Sequence, residues 1–344
     1  MYRNTKSEGS PEIATPRRID VHTHYMAQAL VSALEARSDA PRIFRQNGGR
    51  AIEYGANNGH DLLPTMVDLD AQLRDMDAAG IDFAILSVQV PGVDWFPAAD
   101  GVAVARDVND ELADITRRHP DRLAALALLP GQAPDEAAAE LERAVAAGLR
   151  GGVVFSNVAG RDLDAAGIGP LVDAAAALDV PLMIHPTYPL SAAATDAYAL
   201  IPAVGFLVDT TMAALRLIIG GLYERHPDFK LYLCHAASLL PQLAGRIDYE
   251  CSRFPGGTGK LDALPSERFA QLYTDTVCVW PSALHSTLAL VGDQRVMFGS
   301  DYPFWEASAT IDAVARAELA PATRDAVEAG NAARLFDIAG AAPA

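Results

Sequence analysis

Eight short apolar runs, each followed by a stretch of helical spacing, constrain this chain most. They are "RRIDVH" (17–22), "DFAILSV" (82–88), "LAALALL" (123–129), "GGVVFS" (151–156), "PLMIH" (181–185), "KLYLCH" (230–235), "LYTDTVCV" (272–279) and "RVMFGS" (295–300). Most are near-continuous rather than alternating, as strands buried on both faces of a parallel sheet are. Between them, Val104, Val108, Leu112 and Ile115 form one helical stripe that stops before Pro120. Leu141 and Val145 form another, opened by acidic residues and closed at Gly148. Strand and helix alternate eight times. The expectation is α/β class, a single (β/α)8 TIM barrel over 17–338 with an insertion after strand 1. Residues 1–16 read as a flexible N-terminal tail. Residues 25–65, rich in Gly, Asn and Arg, are too long for a simple crossover and read as a lid or substrate-contacting insertion.

Composition excludes some partners. The formal net charge of -17 argues against nucleic acid and anionic membranes. No apolar run is read as reaching the roughly 20 residues of a membrane span. Three widely spaced cysteines, Cys234, Cys251 and Cys278, suit free thiols in a reducing cytoplasm.

The chemistry gathers where the runs end. His22 and His24 are two apart, so on a strand both face the same side. His185, His235 and Asp301 close three later runs. In a barrel those ends meet at the C-terminal mouth. A buried strand that ends in an ionisable group needs a partner for it, and four such strands are hard to explain as packing. Nitrogen and carboxylate donors without thiolates suit Zn²⁺, Mn²⁺ or Fe²⁺. Cys234, one residue before His235, should face the opposite side. His60 lies in the insertion and is expected at the surface, while Arg42, Arg45 and Arg50 of the same segment are candidates to meet a substrate carboxylate.

The segments "IDVHTHY", "LMIHPTYP", "LYLCHAASLLPQLAGRID" and "VMFGSDYPF" resemble the amidohydrolase superfamily. They are most similar to the branch of aminocarboxymuconate-semialdehyde, γ-resorcylate and 6-methylsalicylate decarboxylases. The resemblance runs from Ile19 to about Phe336. It implies one divalent metal held by His22, His24, His185 and Asp301, with His235 as a catalytic base. It also implies that Arg246 meets the substrate, across a subunit interface of a homodimer or homotetramer. Some relatives carry Glu where this chain has His22, which makes Zn²⁺ the first choice and Mn²⁺ the alternative. The chain departs from the family at "CVWPSAL", where Val279 and Trp280 replace a His-Asp pair. The implied reaction is non-oxidative decarboxylation of an aromatic or enol-type acid. Asp301 or a metal-bound water would deliver the proton, and Phe206, Trp280, Tyr302 and Phe304 would hold a flat ring. The same ligands would serve a lactone or amide hydrolase or a hydratase. A non-catalytic barrel predicts no stoichiometric metal.

Overall fold

The computed structural model describes residues 17–55, 58–254 and 256–338; the expected tail at 1–16 lies outside them. Eight parallel strands form the barrel: β1 (Ile19–His24), β2 (Phe83–Ser87), β3 (Leu123–Ala125, continued by Ala127–Leu128), β4 (Gly152–Phe155), β5 (Leu182–His185), β6 (Leu231–Leu233), β7 (Thr274–Asp275) and β8 (Val296–Met297). Neighbours pair in sequence order. Leu233 N–H to the Tyr273 carbonyl joins β6 to β7. The ring closes where Val21 N–H donates to the Phe298 carbonyl and His24 N–H to that of Tyr302. A helix follows every strand, from Leu69–Ala79 after β1 to Ala307–Arg316 after β8.

Burial divides into two layers, as alternation requires. Ile19, Val21, Phe83, Ile85, Leu126, Val153, Met183, Tyr232 and Met297 fill the barrel, above a base of Leu335 and Phe336. Leu86, Leu128, Ile184, Leu231, Leu233 and Phe298 face the helices. Of the stripe read on Ala98–Arg118, Val108, Leu112 and Ile115 are buried.

One expectation gains detail and another changes. First, the insertion after β1 carries its own helix (Gln28–Glu35) and a three-stranded antiparallel sheet (Arg42–Gln46, Gly49–Gly55, Asn58–Asp61). Second, Ile201–Ile219 is apolar and long enough to cross a membrane by composition alone. Its Asp209 is buried, however, and accepts hydrogen bonds from Ser156 Oγ (2.5 Å), Asn157 Nδ2 (2.8 Å) and the Leu190 N–H (2.9 Å). An acid so bound to the β4 and β5 loops marks a barrel helix.

Candidate active site

Most polar side chains at the barrel mouth are turned inward by a local device of their own. The register of β1 against β2 shifts between Asp20 and Thr23. Val21 therefore faces the barrel interior and His22, the next residue, does too, with His24 above it. His185 needs no device, since Met183 two residues earlier already faces inward. β6 stops at Leu233, and His235 takes φ 57°, ψ 55°, a left-handed turn. That turn corrects the expectation for Cys234: its Sγ lies 3.2 Å from His235 Nδ1, on the same side. Asp301 likewise has φ 62°. Such backbone is uncommon outside glycine and clusters at functional sites. Gly299 makes room, since a Cβ there would sit 2.9 Å from the Cβ atoms of both His22 and Asp275.

The outer nitrogen of each ring is fixed. His22 Nδ1 is 2.8 Å from Asp275 Oδ2, His24 Nδ1 is 3.1 Å from Ser87 Oγ, and His185 Nδ1 is 2.9 Å from the Pro186 carbonyl. Bonds of this kind orient metal-binding imidazoles. The buried His22 Nε2 has no hydrogen bond among the described residues. Asp301 Oδ1 lies 3.1 Å from His24 Nε2 and 3.4 Å from His22 Nε2. Ligands of a tetrahedral ion with bonds of about 2.0–2.1 Å stand roughly 3.4 Å apart. The ligand atoms of His22, His24, His185 and Asp301 all fall within 4.8 Å of one another. An orphaned buried nitrogen and a carboxylate packed among imidazoles fit a single divalent cation.

Charge follows burial. Desolvation pushes His24 and His185 below the usual imidazole range. Burial alone would raise Asp301, but the His22 charge and the bonds from His235 and His24 outweigh it and hold the carboxyl well below its usual range. Burial would lower His235, yet Cys234 and Asp301 outweigh it and hold the imidazole well above its usual range. The Cys234 thiol is itself pushed up to about 11 by burial. A neutral thiol leaves Asp301, 3.6 Å from His235 Nε2, as the influential charge.

Sequence reasoning missed Asp275. It binds His22, accepts from the Tyr232 hydroxyl at 2.8 Å, and takes the backbone N–H groups of His235, Ala236 and Val277 at 3.2, 3.1 and 3.0 Å. The signal was present in "LYTDTVCV", an ionisable residue inside an apolar strand.

Above the four ligands lies a cavity of about 610 Å³. Phe206 and Phe304 line it, with Tyr188, Ile201, Leu207 and Val277. The Phe304 ring packs 5.8 Å from that of His24. Trp280 does not line it: it precedes the helix Pro281–Val291 and is 67% exposed. Tyr302 does not either. The left-handed turn at Asp301 sends its hydroxyl outward to Asp75 Oδ2 at 2.6 Å. Arg246 stands exposed on the helix Leu240–Arg253, 3.9 Å from Glu250, outside this chain's cavity. His60, expected at the surface, faces the cavity because the insertion's sheet folds over it.

A (β/α)8 barrel that collects histidines and an aspartate at its C-terminal mouth defines the class. The amidohydrolase family model matches residues 19–338, and the chain belongs to that family. It is 30% identical over 334 residues to the γ-resorcylate decarboxylase of Rhizobium sp. strain MTP-10005, covering 90% of this chain and 98% of that one. Among solved structures it is similar to the 5-carboxyvanillate decarboxylase of Sphingomonas paucimobilis, with a TM-score of 0.83, 28% identity, and 94% and 100% of the two chains covered. A dihydroxybenzoic acid decarboxylase of Polaromonas sp. JS666, solved with manganese and 2-nitroresorcinol, gives a TM-score of 0.77 at 27% identity, covering 93% and 96%.

Proposed function

We propose that this chain is a metal-dependent carboxy-lyase that removes CO₂, without oxidation, from an aromatic or enol-type carboxylic acid. One observation carries the reading: the ligand atoms of His22, His24, His185 and Asp301 lie within 4.8 Å of one another, and His185 and Asp301 open onto a cavity walled by apolar and aromatic side chains. The relatives' decarboxylase activities support it. A divalent cation held there would supply Lewis-acid stabilisation of charge on the bound carboxylate and its neighbouring oxygen. Zn²⁺ is our first assignment and Mn²⁺ the alternative.

The chain's own groups do the rest. Phe206 and Phe304 hold the ring flat, and the apolar wall excludes water. A proton passes from the His235 imidazolium, by way of Asp301, to the carbon bearing the carboxylate. The carbon–carboxylate bond then breaks, its electron pair restores the conjugated system, and CO₂ leaves. His235, 3.6 Å from Asp301 Oδ2, then regains its proton from solvent. Residues 25–65 act as the lid. Arg246, outside its own cavity, serves a neighbouring copy in a homodimer or homotetramer. The protein works in the cytoplasm.

The test is a panel assay on zinc-loaded and manganese-loaded protein. Salicylate-type and carboxymuconate-type acids are followed for CO₂, with lactones and amides alongside. CO₂ release from at least one acid is expected. Turnover of a lactone or amide with no CO₂ from any acid would make the chain a hydrolase.

A further inference from the structure

Two polar groups in the cavity are not used by the reaction above. Tyr54 and His60, on adjacent strands of the insertion, both line the cavity, with their rings 5.4 Å apart. The Tyr54 hydroxyl and His60 Nε2 are buried and have no hydrogen-bond partner among the described residues. His60 packs edge-on against Phe304 at 5.1 Å, and Phe304 packs in turn on His24. The pair therefore lies one aromatic layer away from the proposed metal centre. Buried polar groups without partners cost stability, and such exceptions ask for a ligand.

We infer that Tyr54 and His60 select a substrate with a single carboxylate and a neutral ring hydroxyl remote from it. The inference rests on the decarboxylase reading and narrows its substrate class. His60 Nδ1 lies 2.8 Å from the Asp61 carbonyl and so carries the ring proton. Nε2 is then an acceptor, and the Tyr54 hydroxyl is free to donate. A ring hydroxyl gives to the first and takes from the second, whereas a methyl ether can only take. Beside Tyr54 and His60 a second carboxylate finds no cation of this chain, since no Arg or Lys among the described residues lines the cavity. The insertion's own arginines are committed elsewhere or turned away: Arg42 pairs with Glu53 at 2.7 Å, Arg50 with Glu35 at 3.2 Å, and Arg45 is exposed. An unpaired anion in such a wall is strongly disfavoured.

The test is isothermal titration of zinc-loaded protein with salicylate, its four ring-hydroxylated isomers, the matching methyl ethers and the matching dicarboxylates. For each protein the gain is the salicylate Kd divided by that of the substituted acid, so a general loss of binding cancels. One hydroxyl position is expected to show a gain of about tenfold. Tyr54→Phe and His60→Leu should each reduce that gain by about three- to tenfold. The methyl ether at that position should lose most of the gain even in the parent protein. No gain at any position, a gain untouched by both substitutions, a methyl ether as tight as the hydroxyl, or a tighter dicarboxylate would each overturn the inference. A gain that behaves as expected, with no CO₂ from any acid, would uphold the pair's role and overturn the decarboxylase reading.

Discussion

In the proposed reaction some residues hold the metal and others move protons. His235 faces Asp301 and is not one of the four proposed ligands. His235→Asn should therefore lower kcat by about 10²–10⁴-fold while metal content, measured by elemental analysis, stays near one per chain. Asp275 does the opposite job, since it fixes His22. Asp275→Asn should weaken metal affinity by about 10–100-fold in competition with a chelator. Asp94 provides a pH signature away from the site: buried, and accepting among the described residues only the Gly131 N–H, its carboxyl is pushed up to about 7 by burial. The fold keeps a proton there that the unfolded chain releases near 3.8, so this contribution to stability is lost as pH rises between the two values. Urea unfolding should find that Asp94→Asn gains on the parent by about 1.4 kcal/mol per pH unit in that window and levels off above it. A difference independent of pH would contradict the assignment. His22, His24, His185 and Asp301 are legible in the sequence because each ends, or nearly ends, an apolar run. Asp275 hides inside one, and the roles of Tyr54 and His60 depend on a hairpin pairing that no periodicity announces.

Among the elements, the strands are legible and their ends are not. A period of two says that His22 and His24 share a face, but not which one. The register shift in β1 decides that, and it leaves no mark in composition. Alternation likewise puts His235 opposite Cys234, until the left-handed turn after β6 reverses it. The helix Ile201–Ile219 passes for a membrane span because its hydropathy averages over Asp209. That residue ties the helix to the loops after β4 and β5. Asp209→Ala strands three donors, each worth roughly 1 kcal/mol or more. Urea unfolding should show a loss of about 3 kcal/mol, against well under 1 kcal/mol for an exposed aspartate such as Asp100. Equal losses would mean the helix is held by its apolar face alone.

For the whole molecule, closure of the barrel brings residues 22 and 301 together across 278 intervening positions and makes the site a property of the complete fold. Loss of the barrel is therefore loss of the metal site, and metal should stabilise the chain against unfolding. The buried imidazoles set the acid limit. His24 and His185 are held neutral in the fold, while the unfolded chain takes up protons below about 6.5. Metal-free protein should keep full stability from this source above that pH and lose it as pH falls through and below it. Decarboxylation is proposed to depend on one divalent metal held by His22, His24, His185 and Asp301. The most direct measurement follows CO₂ release from a hydroxybenzoate after removal of metal with a chelator, then re-addition of one equivalent of Zn²⁺ or Mn²⁺, in the parent and in His185→Ala. Release that stops on removal, returns with one equivalent in the parent and fails to return in the variant is the predicted result. Undiminished release from metal-free protein, or full recovery by His185→Ala, would contradict it.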